Sequence, residues 1–177
     1  MQDYIAFAKK NEVVLMDRGN CQFCGANTRK GIHECLEIFN LGFQEIDFTN
    51  IENNVYRFKM VDAHALQHPE IHGRWSNHFH LSRLQLILKY DIQWTYRHSP
   101  KLSDYLNKYK IDHLNEFLIP PDLLNRGSIT TTDVLEKSKN GEDCKQIIND
   151  WAREVYSSWS YYHSLADLIA KGFLNQK

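Results

Sequence analysis

The chain has 177 residues, 42% hydrophobic and 24% charged, with a formal net charge of −1. That length and composition exclude a disordered chain or a disulfide-stapled miniprotein and fit one domain with its own core. The near-neutral balance also lacks the strongly basic surface that non-specific nucleic-acid binding requires.

Tyr4, Ile5, Phe7 and Ala8 give residues 1–9 the spacing of a short helix. This N-terminus lacks the apolar core of a signal peptide, and no stretch approaches the roughly 18 apolar residues of a membrane helix. The expected location is cytoplasmic, where the four cysteines read as thiols or metal ligands before disulfides. Val13 to Met16 is a brief apolar run, strand-like or extended. Residues 18–31 carry three glycines and two asparagines and predict a loop or knuckle. Cys35, Leu36, Phe39, Phe43 and Ile46 recur at helical spacing and predict a helix over 33–46. A second helix is predicted over 51–67, with Val55, Phe58, Val61 and Ala65 or Leu66 inward. Pro69 disfavours the α conformation at His68, so the helix should stop there.

Ser76 or Asn77 is the expected N-cap of a third helix through Tyr90, with His80, Leu81, Leu84, Ile87 and Leu88 facing the core. Residues 91–100 fit either a loop or a short strand. Leu102, Tyr105, Leu106 and Tyr109 predict another helix, and Pro120-Pro121 opens a connector. Thr132 is the expected cap of a short helix carrying Val134 and Leu135. The last element reads as one long helix from Glu142 to about Ala170, with Trp151, Val155, Trp159, Tyr162 and Ile169 inward and Gly172 as its stop. The fold class is therefore mainly α. The expected architecture is a compact single-domain helical bundle, residues 1–177, with a metal-binding knuckle at 18–35 and a helical body at 36–177.

Cys21-Gln22-Phe23-Cys24-Gly25 places two thiolates where a tight loop can turn both onto one ion, which is half of a tetrahedral zinc site. A chance pair of thiols is the plain alternative, and a thioredoxin-like redox pair lacks its βαβ setting. Cys35 could be a third ligand or a small buried hydrophobe. Cys144 reads as packing. Five of the nine histidines fall between His64 and His80. His64 and His68 share a helix face, a geometry that suits two metal ligands. His68 could equally interact with the last helix carbonyls. Asp62 could orient a ligating histidine or pair with an Arg or Lys, and His72 and His78 read as solvated loop residues. His80 and His163 lie on apolar stripes; each alone fits a hydrogen-bonded core histidine, and together they could form an acid–base or metal pocket.

Cys21-x-x-Cys24-Gly25, Cys35, Val61-Asp62-Ala63 with Leu66-Gln67-His68-Pro69, His80-Leu81, and Trp159 with Tyr162-His163 form a pattern. It resembles an uncharacterised bacterial family, a domain of unknown function, over about residues 21–168. The resemblance implies a zinc-type site using Cys21, Cys24, Cys35 and a histidine, and no established reaction. His64 stands where that family typically has tyrosine, which favours His68 as the histidine. Lys89 stands where a glutamate is common.

Three functional readings follow. A closed Cys3His zinc site from Cys21, Cys24, Cys35 and His68 would be structural, and the chain would act by binding a protein or small-molecule partner. A metal-dependent hydrolase or group transferase would need an open metal position, or a pocket built from His80 and His163 with Asp62. No phosphate loop, nucleophile elbow or dinucleotide fingerprint names a substrate. A zinc-knuckle nucleic-acid binder would draw on Arg74 and Trp75, and the net charge disfavours it.

Overall fold

The computed structural model describes residues 4–44, 46–47, 49–109, 118–141 and 143–176. Residues 1–3, 45 and 142, which fall in three of the predicted helices, lie outside the described residues. Among the described residues eight α-helices follow one another: α1 Tyr4–Lys10, α2 Gly31–Gln44, α3 Asn54–Gln67, α4 Arg74–Leu88, α5 His98–Tyr109, α6 Thr131–Lys139, α7 Cys144–Ser158 and α8 His163–Leu174. Among the described residues there is no strand, and the extended pairing is a single isolated bridge between Gly19 and Lys30. None of these helices is long and apolar enough to cross a membrane.

The helices bury their faces in two linked cores. Met60, Ala63 and Leu66 of α3 meet Leu81 and Leu84 of α4, Ile148, Trp151 and Val155 of α7, and Trp159. Leu86 and Ile87 of α4 meet Trp94, then Leu102 and Leu106 of α5 and Ile169 of α8. A third, smaller cluster gathers Ala8, Cys21, Phe23, Cys24, Ala26, Ile32, Cys35 and Ile71 around the N-terminal loop. This helical single domain is the architecture that the spacing predicts.

Helix ends explain most of the differences from the sequence reading. α3 stops at Gln67, with Pro69 opening a 3-10 turn, as the proline rule requires. α4 begins at Arg74 after Gly73, so Ser76 and Asn77 lie inside it rather than capping it. The Asn77 amide instead donates to the Pro69 carbonyl (3.2 Å). Thr130, not Thr132, caps α6, in a reciprocal capping box with Asp133.

The predicted long C-terminal helix is broken between Ser158 and His163. Neither proline nor glycine breaks it. The Ser158 hydroxyl donates to the Val155 carbonyl (2.6 Å) and the His163 ring to the Tyr156 carbonyl (2.8 Å). The Val155 carbonyl would otherwise take the Trp159 amide, which turns instead to the Tyr156 carbonyl (3.1 Å). Gly172 is not a stop either, because α8 runs through it to Leu174. It is a close-approach site: a Cβ there would sit 1.9 Å from the Tyr105 hydroxyl oxygen.

Candidate metal centre

Residues 18–30 fold back on themselves before α2 begins. The Cys21 amide donates to the Ala26 carbonyl (3.0 Å), and the Gly25 amide returns to the Cys21 carbonyl (2.9 Å). This turn aims both knuckle sulfurs inward. Gly31 closes the loop at φ +56°, where a Cβ would lie 2.1 Å from the Met16 carbonyl oxygen, so no larger residue fits. Glu34 accepts from the Arg29 and Lys30 amides, satisfying donors at the α2 N-terminus.

Cys35, one turn into α2, and His68, at the C-terminal end of α3, meet this knuckle. The ligand atoms of Cys21, Cys24, Cys35 and His68 all lie within 4.8 Å of one another, and all four residues are buried. Cys24 Sγ is 3.7 Å from Cys35 Sγ, while His68 Nε2 is 3.4 Å from Cys21 Sγ and 3.5 Å from Cys35 Sγ. A tetrahedral zinc with bonds of about 2.3 Å to sulfur and 2.0 Å to nitrogen would have edges of roughly 3.8 Å and 3.5 Å. The donor set therefore fits such an ion without rearrangement. His68 Nδ1 donates to the His64 carbonyl (2.6 Å), which leaves Nε2 as the ligating nitrogen.

Protons and a metal ion compete for these atoms. Hydrogen bonds from Cys24 and Cys35 hold the Cys21 thiol far below its usual range, and bonding to Cys21 and Cys24 pushes Cys35 far above it. Burial opposes charge on His68, yet the Cys24 and Cys21 sulfurs outweigh it and raise the imidazole to about 10. A cation that seats here displaces those protons, so its affinity rises with pH.

The remaining candidates divide by position. His64 stacks on His68 (ring centroids 4.1 Å apart), with Nε2 3.8 Å from Cys35 Sγ. It is a neighbour of the four-residue cluster. Burial and the adjacent His68 hold His64 well below its ordinary value. Asp62 does not orient His68. It is fully buried, bonded to His80 Nδ1 (2.6 Å) and to Arg83 through Nε (2.9 Å) and Nη2 (2.5 Å). His78 is buried inside α4, and the His72 ring lies 5.9 Å from that of His80. His78 is not the solvated loop residue that Gly73 implied, because α4 starts early and carries it inward, whereas His72 stays in the loop before α4 and is half-buried. Cys144 packs against the core, matching its packing role.

His80 lines a cavity of about 170 Å³ beside the cysteine cluster, together with His64 and His72. His163 does not line it; it stacks on Tyr156 (3.9 Å). The joint His80–His163 pocket is therefore absent among the described residues. Trp75 stacks on Phe79 within α4.

Sequence reasoning missed the residues that anchor the end of α3. The Gln67 amide donates to the Arg126 and Ile129 carbonyls (3.1 and 3.0 Å), and its oxygen accepts from Trp151 Nε1 (3.0 Å). Arg126 donates to the Gln67 carbonyl (3.0 Å), to Glu70 and to the Pro121 carbonyl (2.9 Å). Arg83 could have been found, since it follows His80 by one helical turn. Nothing local marks Arg126.

The chain belongs to a family of unknown function, DUF5946, whose profile matches residues 19–160 and thus spans all four clustered residues. No curated protein and no solved structure gives a significant match.

Proposed function

We propose that this chain is a zinc-stabilised helical protein in which Cys21, Cys24, Cys35 and His68 form a closed structural site. The mutual approach of those four buried ligand atoms carries the reading. A thiolate-rich set with one imidazole suits zinc better than calcium or magnesium, which take oxygen ligands. Four protein ligands leave no position for an activated water, so the metal ties the N-terminal loop to α3 rather than performing chemistry. Residues 18–35 then act as the metal-binding knuckle and residues 36–177 as the body it braces. The body would serve as a binding scaffold for a protein or small-molecule partner. Its cysteines form no disulfide among the described residues, which accords with the reducing cytoplasm.

Metal analysis of untagged protein tests this directly. One zinc per chain is expected, and Cys21→Ser should lose the zinc and lower the thermal midpoint. A folded preparation with no bound metal and an unchanged midpoint would sink the proposal. A metal-dependent enzyme would instead require three protein ligands and an open position, and the buried fourth ligand weighs against it.

A further inference from the structure

A second feature, next to the cysteine cluster but separate from it, has the makings of a ligand site. Its cavity, about 170 Å³, has apolar walls from Leu36, Phe39, Val61, Ala65 and Ile71. An enclosed apolar space of about 150 Å³ is enough to hold a benzene molecule. The polar side is built from imidazoles, and their hydrogen bonding is unequal. His80 commits Nδ1–H to Asp62, whose charge Arg83 already neutralises through paired bonds. Ring orientation is thereby fixed from behind, and Nε2 has no hydrogen-bond partner among the described residues. The half-buried His72 ring likewise has no hydrogen-bond partner there, its backbone amide donating to the Pro69 carbonyl (3.2 Å). Tyr4, at the rim, is already bonded to His33 (2.6 Å).

The charges around the cavity restrict what could enter. Among the described residues no carboxylate lines it, so an amine cation would lack a counterion there, and no lysine or arginine lines it, so a carboxylate or phosphate would too. Burial keeps His72 uncharged, with its value lowered to about 3. The His80 ring nitrogen left without a protein partner at the cavity wall can accept from a neutral donor that enters. We infer that this cavity is a binding site for a compact, neutral, mainly apolar molecule bearing one hydroxyl or N–H donor, received by His80 Nε2 and flanked by His72. Asp62 and Arg83 act as positioning residues that hold the His80 ring toward the ligand.

Phenol is the probe, and toluene is its control of matched shape without the donor. Protein carrying ¹⁵N-labelled histidine, with its metal content measured, is titrated with each. Phenol should bind saturably and shift the His80 Nε2 resonance, with toluene at least tenfold weaker. Ala65→Leu, which fills the cavity, should abolish binding while leaving zinc content and helical signal intact; Leu36→Trp is the second filling variant should the first not fold. His72→Leu should weaken phenol but not toluene. Equal binding of phenol and toluene would overturn the polar assignment. Phenol binding that survives a folded cavity-filling variant, or fails to saturate up to its solubility limit, would overturn the site itself.

Discussion

Removing the metal should unfold the N-terminal loop while leaving the helical body standing. The loop of about fourteen residues before α2 costs roughly 20 kcal/mol to order, at about 1.5 kcal/mol per residue. The apolar cluster it forms with α2 and the turn after α3 offsets only part of that. Phe23, Ile32 and Ile71 are the large side chains of the small cluster, at 4%, 0% and 2% exposure. Together they contribute about 7 kcal/mol at 2–3 kcal/mol each. The shortfall of about 13 kcal/mol falls within the range of about 10–16 kcal/mol that structural zinc supplies to small domains. Arg18, Arg29 and Lys30 are exposed in this loop and give trypsin its sites. The buried tryptophans Trp94, Trp151 and Trp159 lie in the two body clusters, away from it. Chelation should therefore raise tryptic cleavage at these sites at least tenfold, with the tryptophan emission maximum unmoved. Unchanged cleavage after verified metal loss would refute the reasoning, as would simultaneous collapse of the tryptophan signal, which would make loop and body one cooperative unit.

Two further substitutions probe the body. Gly172→Ala normally gains about 1 kcal/mol in a helix interior; here the Cβ meets the Tyr105 hydroxyl at 1.9 Å. The sign should reverse to a loss of about 1–3 kcal/mol in urea unfolding, and Tyr105→Leu should remove most of that loss. His72 has a folded value lowered to about 3, against about 6.5 unfolded, so between those limits the unfolded chain takes up a proton that the folded chain does not. Its contribution is complete above about pH 6.5 and shrinks as pH falls toward 3, by up to roughly 2 kcal/mol between pH 7 and 5. His64 is also buried and held well below its ordinary value, so the decisive comparison is with His72→Leu. That variant should show a shallower fall in urea midpoint on acidification; an identical slope would contradict the assignment.

The grouping of Cys21, Cys24, Cys35 and His68 was legible because its signals are local: a Cys-x-x-Cys turn, a cysteine one helical turn into the next element, and a histidine fixed by the following proline. Helical periodicity likewise placed α2, α3 and α5. The break between α7 and α8 was not legible, because side chains make it. Ser158 and His163 occupy carbonyls that sequence spacing assigns to the helix, and Trp159 Nε1 reaches across to the Leu66 carbonyl (3.2 Å). His78 was misplaced for a related reason. Gly73 reads as a loop, yet it serves as the cap of α4, which carries His78 straight into the interior. Arg126 sits in a polar connector, and its role exists only once Gln67 and Glu70 are beside it.

That anchor at the end of α3 also sets an order of events during synthesis. All four candidate ligands lie within the first 68 residues, but Arg126, Trp151 and Trp159, which hold Leu66 and Gln67, are made much later. On the proposed zinc reading, a nascent chain could gather the ion while the helix carrying the last ligand is still untethered. The metal-bound N-terminal segment would then present α3 as a surface on which the later helices assemble. Truncated chains ending near residue 110 should consequently capture zinc yet remain unpacked along α3.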